Sequence, residues 1–186
     1  MAQHTLSVLV ENSPGVLARV ASLFSRRGYN IDSLAVGPTE SPEISRITIV
    51  LNLEGHALDQ VSAQLFKLVN VIGIQEMEDK NSHQRELLMV KVSSAGDNRS
   101  KIEAVVGRYR ASIVSQASSS LTIEAIGSSA EIAALLGELT SFGIKELVQS
   151  GLIALEIGDA TLAERTLQET GLASSSTHSQ TEDYQN

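Results

Sequence analysis

The chain has 186 residues, 42% of them hydrophobic and 3% aromatic, with a formal net charge of −8 and no cysteine. That length suits one large domain or two small ones, while the acidic balance and few aromatics argue against phosphate-driven nucleic-acid binding and base stacking. Disulfide and thiolate chemistry are excluded; with no apolar run near the roughly 18–20 residues of a membrane span, and no basic start and apolar signal core in Met1 to Leu6, the expected location is the cytoplasm.

Leu6, Val8 and Val10 alternate with Ser7, Leu9 and Glu11, which predicts a strand over 4–11 with at least one face buried. Ser13 is a good N-cap and Pro14 is tolerated at the first helical position, so a helix is expected from Pro14. Its apolar stripe is Val16, Val20, Leu23 and Phe24, with Leu17 beside it, and Gly28 is placed to end it. Strands follow over 30–36 and 44–53, then a helix over 57–68 and a strand over 69–77. The order βαββαβ implies an antiparallel sheet with both helices on one face, the ferredoxin-like plan, and places the second strand at a sheet edge. The polar run 79–84 reads as a linker between units 1–78 and 85–158.

Beyond it the pattern begins again. A strand is expected over 87–92, a helix through Ile102, Val105, Val106 and Tyr109, and strands over 112–116 and 121–126. A helix through Ile132, Leu135, Leu136 and Leu139 follows, then closing strands over 144–148 and 152–157, with room for an extra hairpin at Ser150-Gly151. Residues 159–186 read as a C-terminal extension, with a short helix within 160–170 and a disordered polar tail over 173–186.

Catalysis needs a nucleophile with a base, paired carboxylates or a metal cluster, and none stands out. His4, His56, His83 and His178 lack metal-ligand or relay spacing, and Glu40 and Glu43, flanking Pro42, read as a solvated turn. What remains suits a zwitterion. The amides of Gly15, Val16 and Leu17, backed by the helix dipole, can seat a carboxylate, and the side-chain oxygens of Asn12 and Asn30 can accept from an ammonium. On spacing alone the same residues also read as a well-capped helix start and a turn asparagine after Gly28. Because Asn30 opens an edge strand, a symmetric dimer could bring it to the first loop of a neighbouring copy.

Three segments carry a family resemblance: Leu9-Val10-Glu11-Asn12-Ser13-Pro14-Gly15-Val16-Leu17-Ala18-Arg19-Val20, Leu23-Phe24-Ser25-Arg26-Arg27-Gly28-Tyr29-Asn30-Ile31-Asp32-Ser33-Leu34, and Ser45-Arg46-Ile47-Thr48-Ile49. From about Thr5 to Gly158 the chain resembles the regulatory (small) subunit of acetolactate synthase, also called acetohydroxyacid synthase. The resemblance implies an α+β protein of two ferredoxin-like βαββαβ domains with antiparallel sheets, an N-terminal ACT domain and a C-terminal ACT-like domain. It implies a non-catalytic homodimer that binds the catalytic (large) subunit, raises its activity, and confers feedback inhibition by valine or related branched-chain amino acids in valine and isoleucine biosynthesis. Thiamine diphosphate, magnesium and FAD would belong to that catalytic subunit, with no cofactor on this chain. By position, Asn12, Gly15, Val16 and Leu17 of one chain would meet Asn30 and Ile31 of another around valine at the ACT dimer interface. The chain departs from the family at Gln149 and Ile157, where members often have arginine. A stand-alone ACT-domain amino-acid sensor acting on another protein, and a small ferredoxin-like enzyme, are the other classes the residues leave open.

Overall fold

The structure, a computed structural model, describes residues 2–54 and 57–169; His56, His178 and the polar run 173–186 lie outside the described residues. The first half runs β1 (Ala2–Glu11), α1 (Val16–Arg26), β2 (Ile31–Pro38), β3 (Ile44–Leu53), α2 (Ala57–Leu65) and β4 (Val71–Glu76). These strands form an antiparallel sheet in the order β2-β3-β1-β4. β1 and β3, which carry the long buried runs, take the centre, and β2 lies at an edge as expected.

Strand alternation sends Leu6, Val8, Val10, Ile47, Ile49 and Leu51 to one face. There they pack against Val16, Val20, Leu23 and Phe24 of α1 and Val61 and Leu65 of α2. Each such side chain contributes about 1.5–3 kcal/mol when fully buried. The end of α1 follows from Gly28 at φ 72°: its amide bonds Ser25 O and that of Tyr29 bonds Phe24 O, the crossed pair of a Schellman cap.

The beginning of α1 departs from expectation. The helix starts at Val16, not Pro14, and its N-cap is Gly15, not Ser13, with no side-chain cap. Gly15 sits at φ 84°, ψ −5°, a left-handed conformation that glycine adopts without a Cβ penalty. Ser13 and Pro14 are spent on a turn before the helix, Ser13 N donating to Glu11 O.

The second half runs β5 (Ser82–Ser93), α3 (Asn98–Arg108), β6 (Ser112–Gln116), β7 (Ser120–Gly127), α4 (Ser129–Thr140), β8 (Ile144–Gln149), β9 (Ile153–Glu156) and α5 (Leu162–Glu169). Its sheet has the order β6-β7-β5-β8, with β9 also on β5. Leu88, Val90, Val92, Leu121, Ile123 and Ala125 face Ile102, Val105 and Val106 of α3 and Ile132, Leu135 and Leu139 of α4. α4 opens with a capping box between Ser128 and Glu131, and those hydrogen bonds hold the Glu131 carboxyl below its usual range.

Two expectations fail here. Residues 82–84, read as the end of a linker, already belong to β5, because they pair with β9. No hairpin forms at Ser150-Gly151: β8 and β9 both run antiparallel to β5, with Leu88 opposite Gln149 and Arg85 opposite Ile153, so one follows the other along the same strand. At the break Ser150 replaces a ladder residue, its amide donating to Leu87 O and its Oγ accepting from Leu87 N, each at 2.9 Å.

The two central strands of the first sheet, β1 and β3, are buried on both faces. Thr5, Ser7, Leu9, Thr48 and Val50 point away from α1 and α2, yet all are buried. The C-terminal half covers this face. Leu152 N donates to Ser33 Oγ at 2.8 Å, and Gly151 lies against the Leu34 carbonyl. Thr166 of α5 lies so close to Gly73 of β4 that a Cβ there would meet its Oγ1 at 2.1 Å. Arg165 grips Glu156 of β9 in a bidentate contact, Nη2 donating to Oε1 at 2.6 Å and Nε to Oε2 at 3.1 Å.

Within α4, Gly137 has open space where a Cβ would stand. Gly137→Ala is therefore expected to stabilise the protein by about 0.5–1 kcal/mol, by removing backbone freedom from the unfolded chain. Urea unfolding checks this through a raised midpoint at unchanged slope.

Candidate functional site

With Gly15 as N-cap, the first helical bond is Arg19 N to Gly15 O at 3.0 Å. The amides before it have no helical carbonyl to bond. Val16 N turns back to Ser13 O at 3.4 Å, while those of Gly15, Leu17 and Ala18 have no acceptor among the described residues. Of the expected trio, Gly15 and Leu17 stay open, Val16 is weakly engaged, and Ala18 joins them. No acidic residue occupies the first turn to neutralise the positive end of the dipole. Val16 is buried in the core, so only its backbone can serve a ligand, whereas Leu17 is 42% exposed.

Asn12 is clasped from the side. Its amide donates to Glu43 O at 2.7 Å and its Nδ2 to Pro42 O at 2.9 Å. A carbonyl accepts only, so this contact sets the otherwise ambiguous amide: Nδ2 faces the 41–43 loop and Oδ1 is left outward. The loop read as a solvated turn is thus the backing of Asn12. A second support is Asn70, whose Nδ2 bonds Glu11 Oε2 and whose Oδ1 accepts from Arg19 Nη1, both at 2.5 Å. Nothing in residue spacing marks Pro42, Glu43 or Asn70, because each reaches the turn across the sheet.

Asn30 and Ile31 stand elsewhere. Ile31 pairs with Leu51, which in turn pairs with His4, whereas Glu11 pairs with Ile44 at the far end of β1. At roughly 3.3 Å per residue the two groups lie about 20 Å apart along the sheet. One chain therefore does not bring the six residues together: Asn12, Gly15, Val16 and Leu17 form one cluster, Asn30 and Ile31 another at the opposite end. Asn30 is exposed, and Ile31 is half-buried against the first core.

At the two departure positions, Gln149 Nε2 donates to the buried Glu86 carboxylate, which also accepts from Ser129 Oγ, and Ile157 is half exposed. Position 149 thus carries a neutral amide engaged by Glu86.

Tandem βαββαβ units, the first opening α1 on free amides, define a two-domain protein of the ACT-fold regulatory kind. The family model described as "AHAS small subunit-like ACT domain" matches residues 6–73, and that described as "Small subunit of acetolactate synthase" matches residues 85–158. Over 155 residues the chain is 51% identical to the acetolactate synthase small subunit of Mycobacterium bovis and 52% identical to that of Mycobacterium leprae, alignments covering 83% of this chain and 92% of each relative. The crystal structure of the acetolactate synthase small subunit from Thermotoga maritima superposes with a TM-score of 0.79 at 30% identity, covering 86% of this chain and 100% of that one. The chain belongs to the acetolactate synthase small-subunit family. Neither family model extends to α5.

Proposed function

We propose that this chain is a cytoplasmic, non-catalytic homodimeric regulator that activates the acetolactate synthase catalytic subunit and makes it sensitive to valine. Valine would bind between two ACT domains, its carboxylate on the amides of Gly15, Leu17 and Ala18 and its ammonium on Asn12 Oδ1 of one copy and Asn30 Oδ1 of the other, with Val16 and Ile31 flanking it. The observation that carries this reading is the division of the site: carboxylate donors and a second ammonium acceptor lie at opposite ends of one sheet. Antiparallel pairing of two β2 edges would set the start of one strand beside the Pro38 end of the other, next to the loop that clasps Asn12. The family membership supports a large-subunit partner, on which thiamine diphosphate, magnesium and FAD would reside.

Inhibition requires valine to favour one state of the complex over another, so the catalytic subunit must change valine affinity in return. The deciding experiment is reconstitution with a thiamine-dependent large subunit, with and without valine. Activity that rises on mixing and falls with valine supports the reading; turnover by this chain alone overturns it. Asn30→Ala is expected to weaken valine binding about tenfold, as loss of one hydrogen bond to a charged group costs about 1.5–3 kcal/mol. Calorimetry of the isolated dimer reads this directly, and unchanged affinity removes Asn30 from the site.

A further inference from the structure

Asn30 immediately precedes β2, and Asp32 sits where the β2–β3 register shifts between Ile31 and Ser33. Between them Ile31 packs against the first core. Asn30 Nδ2 donates to Asp32 Oδ1 at 2.7 Å, and Asp32 Oδ2 accepts from Nδ2 of Asn52 on the neighbouring β3. No lysine or arginine pairs with this carboxylate among the described residues.

Those contacts are directional. An ionised carboxylate only accepts, so it binds the NH2 end of the Asn30 amide and leaves the oxygen end pointing elsewhere. The bond is charge-assisted, and a donor group so engaged polarises the amide and strengthens its oxygen as an acceptor. Each Asp32 oxygen already takes one amide donor.

We propose that Asp32 is a positioning residue for the effector: held by Asn52, it locks the Asn30 amide with Oδ1 presented to the ligand's ammonium, an inference that rests on the effector-site reading of Asn30. Without Asp32, the amide rotates freely and presents an NH2 group to a cation for part of the time. Asn12 has the same device on the other half site, with the Pro42 carbonyl in the role of Asp32. Both acceptors of the ammonium are then fixed before the ligand arrives, which lowers the ordering cost of binding.

The test is a titration of the full-length dimer with valine, followed by NMR chemical shifts so that millimolar affinities remain readable. It takes wild type, Asp32→Ala, Asp32→Asn, Asn30→Ala and the Asn30→Ala/Asp32→Ala double variant. Asp32→Ala is expected to bind valine about tenfold more weakly, the effect of one charge-assisted hydrogen bond. Asp32→Asn, which keeps an oxygen acceptor for the Asn30 amide, should recover part of that loss. In the Asn30→Ala background the Asp32→Ala change should cost no more than about twofold, because the group it positions is gone.

Unchanged valine affinity in Asp32→Ala overturns the proposal while leaving the effector site standing. An equal further loss in the Asn30→Ala background also overturns it, since that marks a general loosening of β2. If the wild-type dimer does not bind valine, the effector-site reading itself fails and takes the proposal with it. The Asn30 side-chain amide signals of the ligand-free protein give a second readout. They should be protected from solvent exchange in wild type and lose that protection in Asp32→Ala.

Discussion

Gly15→Asp is expected to abolish feedback inhibition by valine while leaving activation of the catalytic subunit largely intact. Gly15 adopts φ 84° with nothing within 4 Å of where its Cβ would stand, so the new side chain meets strain but no neighbour. The left-handed conformation costs a non-glycine residue about 1–2 kcal/mol, a tolerable loss at an exposed turn. The decisive effect is at the open amides. The new carboxylate stands beside the open amides of Leu17 and Ala18, which valine's carboxylate would otherwise use, where the positive end of the helix dipole favours it. Valine then meets a filled seat and a like charge. Loss of two charge-assisted hydrogen bonds, about 1.5–3 kcal/mol each, weakens binding on the order of a hundredfold or more. Gly15→Ala separates the two effects, because it carries the strain without the charge, and should shift the inhibitory concentration only severalfold. Initial rates of the reconstituted enzyme against valine, with calorimetry of the free protein, measure both. Inhibition of the Gly15→Asp complex at wild-type valine concentrations would mean that the carboxylate sits somewhere else.

The reading of Gly15 as a candidate site residue rested on a different local geometry from the one the structure shows. Spacing marked Ser13-Pro14-Gly15 as a capped helix start, with glycine as mere bare backbone. The structure makes glycine itself the cap, and because it offers no side chain, the amides behind it stay open. Much of the local chemistry was legible, since the β3 strand over 44–53 and the β6 strand over 112–116 have the expected bounds and Gly28 closes α1, but the start of α1 was not, with Gly15 rather than Ser13 as its cap. Legibility failed where one element meets another distant in sequence. The grip of Pro42 and Glu43 on Asn12 spans a strand and a helix, and burial of Thr5, Ser7 and Leu9 depends on residues of the C-terminal half.

Gly151 is the sharpest case of such a distant contact, and Gly151→Ala is expected to be among the most destabilising single-atom additions in the chain. Beside Ser150 it reads as a turn glycine. It adopts no left-handed conformation, and it turns no hairpin. Its lack of a side chain serves close approach: a Cβ would lie 2.4 Å from Leu34 O and 2.8 Å from Ala35 N, both backbone atoms of β2. Backbone in a paired strand has nowhere to rotate, so the domains must shift apart locally. That shift stretches the Leu152 N to Ser33 Oγ bond and loosens Leu152, now 3% exposed. Overpacking of this kind costs about 1–3 kcal/mol, and at this chain length each kcal/mol lowers Tm by about 2–4 °C. Ser33→Ala should cost about 1 kcal/mol, since it removes one acceptor but leaves the close contact in place. Calorimetric melting of the two variants gives the order Gly151→Ala below Ser33→Ala below wild type. Faster exchange of the Leu152 amide in both would locate the damage at the joint, and a Gly151→Ala melt indistinguishable from wild type would show that β2 and the 150–152 segment separate without cost.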